Sequence, residues 1–584
     1  MGGGEENGAA APWWKNATIY QIYPASFKDS NGDGIGDIPG IISQLDYIQS
    51  LGVDAIWICP MYDSPQYDMG YDVANYEEVY APYGTVADVE TLIAGCHERG
   101  MKILLDLVIN HTSHQHPWFQ ESRESKNSPK RDWYIWRPAR YDADGTRCPP
   151  NNWRSIFGGS AWEWDEATQE YYLHLFAVQQ PDVNWENPDT RAALYESAME
   201  FWLRKGIDGF RVDTVNMYSK HQSFRDAVVV DPSSEWQPAA SLFCNGPRIH
   251  EFLREMGQIL QKYNAVTVGE LPGTPDITDV LKYVSAQEQL LSMVFQFDIV
   301  DLGFGSNLRF DTVPRSWAVS DLRARVQRTQ LLMDGTTDGW STAFLENHDQ
   351  ARSISRWGSE ASPELWARSA KMLAMLVASL SGTLYLYEGQ EIGMVNAPID
   401  WDISEYKDVD SINYYTFVKE RSGNDPTALA AAVRSLQHLA RDHSRLPMQW
   451  DGTHNAGFTS STAKPWMRVH DNYPVVNVER QNLDPKSVLS FWRDLLRVRS
   501  ANPSVFAQGV FSDTDLSNDE VFVFVKTSEA QKLVVALNFT AENQSVHLER
   551  QLGNAPLQAL LKSCDDEPLD VLQPYEGRVY LLDN

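Results

Sequence analysis

The sequence predicts an α/β protein: a (β/α)8 barrel with an inserted subdomain after its third strand and a small antiparallel β domain at the C-terminal end. Three observations predict it. Short runs rich in β-branched and aromatic residues alternate with helix-period segments at the spacing of parallel βα units. Polar and acidic residues gather just after those runs, on the side where such barrels carry their sites. Beyond about residue 505, strand-like runs follow one another without helices between them.

The first strand is read at 18–27 (TIYQIYPASF), and a helix period over 41–51 leads to a second strand at 55–62 (AIWICPMY). A polar, aromatic loop, Gln66 to Asp72, follows that strand. A helix pattern over 86–99 then precedes the third strand, 102–110 (KILLDLVIN), which ends at His111. Residues 112–188 break the alternation, being aromatic, Pro- and Gly-rich and without a sustained helical period. They read as a subdomain B inserted over the barrel mouth. A helix over 190–205 feeds the fourth strand, GFRVD (209–213). Further strands are read at 266–271, 293–299, 342–349 and 383–391, making eight, and eight βα units mean a TIM barrel. The domain boundaries are therefore 1–111 with 189–504 for the barrel, 112–188 for domain B, and 505–584 for a C-terminal β-sandwich.

Composition narrows the function. The 584 residues are 43% hydrophobic, enough for a large core, and the net charge of −30 argues against nucleic acid or an anionic membrane surface as partner. Five scattered cysteines without CxxC spacing form neither a disulfide framework nor a zinc site. The Gly/Ala/Glu-rich stretch 1–11 reads as disordered and has no signal-peptide pattern. Glu6 stands where myristoylation wants Ser or Thr, and the longest apolar run, 372–387, is too short to span a bilayer. The expectation is a cytoplasmic protein without a membrane segment, as a monomer or small homo-oligomer.

One loop points to a metal. Asp29-Ser-Asn31-Gly-Asp33-Gly-Ile35-Gly-Asp37 places oxygen-bearing side chains on alternate residues between glycines, like the start of a calcium loop with the Ile35 carbonyl as a backbone ligand. An Asp at the ninth position, without the distant Glu, means it is not an EF-hand. The expectation is one structural Ca²⁺, or Mg²⁺; a metal-free Asp/Gly turn would have the same composition.

The chemistry rests on acids at strand ends. Arg211 and Asp213 alternate with the apolar Phe210 and Val212 in a buried strand, so both charges need a polar partner or a ligand. Taken alone they read as a structural ion pair. With Glu270 and Asp349 on two other strands, and His111 and His348 nearby, they read as a carboxylate site for glycoside cleavage. Arg211, two residues from Asp213 on the same strand face, is expected to keep Asp213 ionised.

GFRVD (209–213), VGEL (268–271), ENHD (346–349), DLVINH (106–111) and QPDVN (180–184) resemble, in order, the short motifs of the α-amylase superfamily. QPDVN, DMGYD (68–72) and RDHSRLPMQW (441–450) are similar to its oligo-1,6-glucosidase and α-glucosidase branch, and the likeness runs over nearly the whole chain. The resemblance implies a retaining, exo-acting glucosidase acting on small oligosaccharides. Asp213 would be the nucleophile, Glu270 the general acid and then base, and Asp349 the holder of the 2- and 3-hydroxyls. It further implies His111, His348 and Arg211 around the reacting glucose, Tyr71 as its stacking ring, Phe176 as an apolar wall, and Asp68 with Arg441 closing the non-reducing end.

Thr214 follows the nucleophile. In this branch valine there resembles α-1,6-preferring enzymes and threonine α-1,4-preferring ones, which implies a maltase-like enzyme taking maltose, with sucrose and short malto-oligosaccharides beside it. The valine in QPDVN, where the branch usually has leucine, and the stretch Val215-Asn216-Met217 depart from the pattern. Asn216 is read as a polar contact to the second sugar. The alternatives are an isomaltase, a sucrose or trehalose isomerase, or a non-enzymatic binding protein like the heavy chains of some amino-acid transporters, which are membrane-anchored and can lack the catalytic acids.

Overall fold

The computed structural model describes residues 11–305, 309, 315–514, 518–553, 559–564 and 570–584. Residues 1–10, read above as most of a disordered lead, lie outside the described residues.

All eight expected barrel strands form. They are β1 (Thr18–Ile22), β2 (Ala55–Ile58), β3 (Lys102–Leu107), β4 (Gly209–Val212), β5 (Val266–Glu270), β6 (Met293–Phe295), β7 (Thr342–Ala343) and β8 (Thr383–Tyr387). Hydrogen bonding runs parallel in the order β6-β5-β4-β3-β2-β1-β8-β7. Among the described residues no ladder joins β6 to β7; there the Ser341 and Thr342 hydroxyls donate to the Val294 carbonyl at 3.3 and 3.1 Å and close the seam. Every residue of these strands is buried except the first of β3, because helices cover the outside and side chains fill the inside.

All eight strands end before the sequence predicts, three of them for an evident local reason. Pro24 cannot donate to a ladder and instead starts a helical turn, Pro24–Phe27, so β1 stops at Ile22. After β2, Tyr62–Asp63 pairs antiparallel with Asn75–Val79 rather than with the barrel. Beyond Ala343 the chain leaves the sheet, and residues 344–349 become the loop that carries His348 and Asp349. Gly209 is required where β4 begins: a Cβ there would sit 1.9 Å from the Val266 carbonyl oxygen.

The segment after β3 contains a helix, Pro117–Glu124, that the irregular composition of 112–188 concealed. It also contains a three-stranded antiparallel sheet, Trp136–Arg137, Glu170–Leu173 and Trp162–Asp165, with Glu170–Leu173 in the middle. Its aromatic core (Trp153, Phe157, Trp162 and Phe176) includes Phe224 and Phe243 from the chain beyond β4. A bridge from His111 to Asp182 ties it to the end of β3.

The C-terminal five-stranded sheet is antiparallel. Its strands alternate with period two: Phe522, Phe524, Leu533, Val535 and Val579 join the barrel core, while Val521, Val523, Val534, Ala536 and Tyr580 face a second small cluster. A one-residue slip would exchange those faces. Among the described residues no helix is long and apolar enough to cross a membrane.

Candidate active site

Sheet register assembles the site. Arg211 on β4 stands directly beside Asp106 on β3 and Val268 on β5, and Val212 stands beside Gly269. One residue further in the same register, Asp213 comes level with Glu270. Side chains two apart share a strand face, so Asp106, Arg211, Asp213 and Glu270 all point into the barrel's C-terminal mouth.

One guanidinium organises the three acids. Arg211 Nη1 donates to Asp106 Oδ1 at 2.9 Å and to Asp213 Oδ1 at 2.6 Å, while Nη2 pairs with Glu270 Oε2 at 2.9 Å. Asp213 and Glu270 therefore occupy the two arms of one planar fork. Thr214 ties them a second time, its backbone N–H donating to Glu270 Oε2 at 3.1 Å and its hydroxyl to Asp213 Oδ2 at 3.3 Å. To do so Thr214 adopts φ +38°, ψ +44°, a left-handed conformation that costs a β-branched residue energy and marks a site whose geometry is imposed by its surroundings.

Charge balance corrects one expectation. Arg211 is one cation among three carboxylates, so it does not by itself keep Asp213 ionised. Burial pushes both Asp213 and Glu270 up to about 7, against the pull of Arg211, and Asp106 up to about 6. The set titrates together and retains protons near neutral pH.

The opposite wall carries a different arrangement, Asp349 set against two arginines and the His348 ring. Burial raises the Asp349 carboxyl, but His348, Arg441 and Arg445 outweigh it and hold the group far below the usual carboxylate range. Arg441 Nη1 and Arg445 Nη2 reach Asp349 Oδ1 at 2.9 and 3.1 Å. Arg441 also pairs with Asp68 at 3.2 Å and with Asp408 at 2.9 Å, so Asp68, Arg441 and Asp349 form one continuous polar wall. His348 lies parallel to Tyr71, centroids 5.2 Å apart, and Tyr71 donates to Asp106 Oδ2 at 3.0 Å. His111 lies within 3.2 Å of Gln180 Nε2, which donates to Asp68 Oδ2 at 3.0 Å, and its ring packs 5.1 Å from Phe176. All eleven residues expected at the catalytic and substrate-binding positions are thus connected in one network at the barrel's C-terminal mouth.

Residues 21–509 match the family described as Alpha amylase, catalytic domain. The chain belongs to the α-amylase family. It is an enzyme, a glycoside hydrolase, and its similarity to known members extends over nearly all of it. It is 51% identical over 576 residues to an α-glucosidase of Candida albicans, covering 98% of this chain and 99% of that one. It is 47% identical over 585 residues to an oligo-1,6-glucosidase of Saccharomyces cerevisiae, covering 97% and 98%. The solved structure of the isomaltulose synthase SmuA from Protaminobacter rubrum superposes with a TM-score of 0.90 at 37% identity, covering 99% of this chain and all of that one.

Within this α-amylase-family site, several residues escaped the sequence reading. Asp106 is a lone acid in the apolar run KILLDLVIN, the same signal that singled out Arg211. Arg445 lies four residues after Arg441, and a 3₁₀ turn, Arg441–Arg445, brings both to Asp349. Asp408 comes from a segment with no motif at all. Asn216, expected to touch a second sugar, is fully buried and donates instead to the Pro272 carbonyl at 2.6 Å and Thr274 Oγ1 at 3.0 Å, because the 3₁₀ turn Val215–Met217 rolls it under the loop after β5.

The 29–37 loop has the oxygen donors a hard cation wants, but its acids are turned onto the loop's own backbone. Asp29 accepts from the N–H groups of Asn31, Gly32 and Gly34 and from the Thr459 hydroxyl, which takes up all four of its lone-pair sites. Asp37 accepts from Ser30 and from Gly40 N at the head of a helix. Asn31 and Asp33 each accept the N–H two residues on, at 2.9 and 2.8 Å, and Ile35 is half-buried. Among the described residues no three His, Cys, Asp or Glu side chains converge on a metal-sized point.

Proposed function

We propose that this chain is a retaining, exo-acting α-glucosidase that releases glucose from the non-reducing end of short α-glucosides, with a preference for α-1,4 links as in maltose. The observation that carries the proposal is the fork of Arg211 holding Asp213 and Glu270 side by side. Two carboxyls about 5–5.5 Å apart are what the double-displacement route needs. Asp213 attacks the anomeric carbon and the C–O bond to the leaving sugar breaks, while Glu270 gives its proton to the departing oxygen. Water then enters, Glu270 takes a proton from it, and the glucosyl–Asp213 ester is hydrolysed. We assign the mobile proton to Glu270 because Asp213 has the shorter contact with the guanidinium, 2.6 against 2.9 Å.

Asp349, held as an anion by Arg441 and Arg445, serves as acceptor for two sugar hydroxyls. The wall of Asp68 and Arg441 supports a dead-ended pocket, hence removal of single terminal units. Thr214, with its hydroxyl on Asp213, supports the α-1,4 preference. The likeness to an oligo-1,6-glucosidase and an isomaltulose synthase favours the second reading, an isomaltase or isomerase with the same covalent intermediate. Initial rates and products on maltose, isomaltose and sucrose decide between them: faster cleavage of isomaltose, or an isomerised sugar in place of free glucose, overturns the first reading. Asp213→Ala is expected to abolish hydrolysis while sugar binding persists.

A structural Ca²⁺ on Asp29, Asn31, Asp33, the Ile35 carbonyl and Asp37 is proposed separately. The donor chemistry and spacing support it; an ion would have to displace amide hydrogen bonds that Asp29 now accepts.

A further inference from the structure

The barrel floor beneath His348 holds a polar contact that no step above uses. Gln21, on β1 and 1% exposed, extends its side-chain nitrogen to 2.9 Å from His348 Nδ1 and 3.3 Å from Cys59 Sγ. A side-chain amide nitrogen only donates, so with this end of the Gln21 amide toward the ring the imidazole nitrogen facing it is the bare one. The remaining proton of a neutral ring is then on Nε2, which stands 3.2 Å from Asp349 Oδ2. The ring has little freedom to choose otherwise. It is sandwiched between Tyr71 at 5.2 Å and Tyr23 at 6.2 Å, with the edge of Trp57 at 6.0 Å.

We propose that Gln21 is a positioning residue of this site: by donating to His348 Nδ1 it fixes the tautomer whose Nε2–H faces Asp349 and the sugar. It acts through His348 and touches neither substrate nor reacting atoms. The charged groups around the ring fit a neutral imidazole: Asp349 favours the imidazolium, while burial, first, and Arg211, Arg445 and Arg441 disfavour it and push the ring down to about 3. With the opposite tautomer, a bare Nε2 would face the Asp349 carboxylate oxygen, lone pair against lone pair. The same atom could then no longer donate to a sugar hydroxyl. This deepens the glucosidase reading and rests on it for the roles of His348 and Asp349.

The test has two independent arms. Two-bond ¹H–¹⁵N spectra of histidine-labelled protein, with His348→Gln to assign the ring, read the tautomer directly. The expected result is an unprotonated Nδ1 and a protonated Nε2 at neutral pH. A protonated Nδ1 overturns the proposal whether or not the chain hydrolyses glucosides, so its failure is distinct from failure of the glucosidase reading. In kinetics on an aryl α-glucoside, Gln21→Leu should lower kcat/KM by about tenfold, the worth of one buried hydrogen bond. Gln21→Glu, equal in size and unable to donate once ionised, should bring up Nδ1–H in the spectrum at a pH above the titration of that carboxyl. The double variant Gln21→Leu/His348→Gln should lose no more than His348→Gln alone; losses that multiply would mean that Gln21 acts elsewhere in the core, and would overturn the proposal. Thermal unfolding of each variant identifies any that fails to fold, in which case the wild-type spectrum and Gln21→Glu still decide.

Discussion

Replacing Arg211 by lysine keeps the charge and removes the fork. The guanidinium reaches three carboxylates at 2.9, 2.6 and 2.9 Å from a side chain only 2% exposed. A lysine ammonium is a point donor on a flexible stem and cannot span Asp213 and Glu270 together. If one contact survives and two are lost, each charge-assisted hydrogen bond being worth about 1.5–3 kcal/mol, the loss is roughly 3–6 kcal/mol, or about 10²–10⁴-fold in kcat/KM. The pH profile carries the sharper sign. In the wild type burial raises Asp213 and Glu270 to about 7 while Arg211 pulls both down. Weakening that pull moves both carboxyls up, so the acid limb, where Asp213 must be ionised, and the alkaline limb, where Glu270 must be protonated, both shift to higher pH. The assay is kcat/KM for an aryl α-glucoside from pH 5 to 9, with thermal unfolding alongside. Activity within tenfold of wild type and unmoved limbs would refute the idea that one fork organises both acids.

Three further outcomes follow from the same geometry. Thr214→Val removes the hydroxyl on Asp213 but keeps the volume, and should move the isomaltose-to-maltose ratio of kcat/KM toward isomaltose by about 1–3 kcal/mol; an unchanged ratio would separate Thr214 from linkage choice. Asp213→Asn freezes that position neutral. Since folding raises the Asp213 carboxyl from its unfolded value near 3.9 to about 7, the wild type loses stability relative to the variant as pH rises across that window, and the difference levels off above it. Thermal unfolding from pH 4 to 8 reads this, and a difference that stays flat contradicts it. Finally, dialysis against a chelator should lower the unfolding temperature, with recovery in Ca²⁺, if the 29–37 loop opens to an ion; no change means the backbone N–H groups on Asp29 keep it closed.

The barrel was legible because β-branched runs and helix periods carry their own signatures, and the ladder confirms all eight strands. Their ends were less so. The apolar start of 342–349 reads as a strand running on to Asp349, yet only Thr342–Ala343 pairs, and the rest forms the loop that carries His348 and Asp349. The acids proposed to react were legible as charges in apolar runs. What composition could not convey was sharing: that Arg211 would serve three acids instead of one depends on Asp106 standing level with it, which is a matter of register. Asp408 and Gln21 were invisible for a related reason. Each is an ordinary polar residue whose partner, Arg441 or His348, lies far away in sequence. Asn216 misled because its position after Asp213 implied the pocket, whereas the backbone turn directs it inward.

In the proposed reaction Asp213 forms a covalent bond to the sugar while Glu270 handles the proton. A fluorinated α-glucosyl fluoride, which slows breakdown of the ester, followed by proteolysis and peptide mass mapping, tests it most directly. A single glucosyl adduct on Asp213 is the predicted result. An adduct on another residue, or rapid turnover with no adduct while released glucose first appears as the inverted anomer, would contradict it.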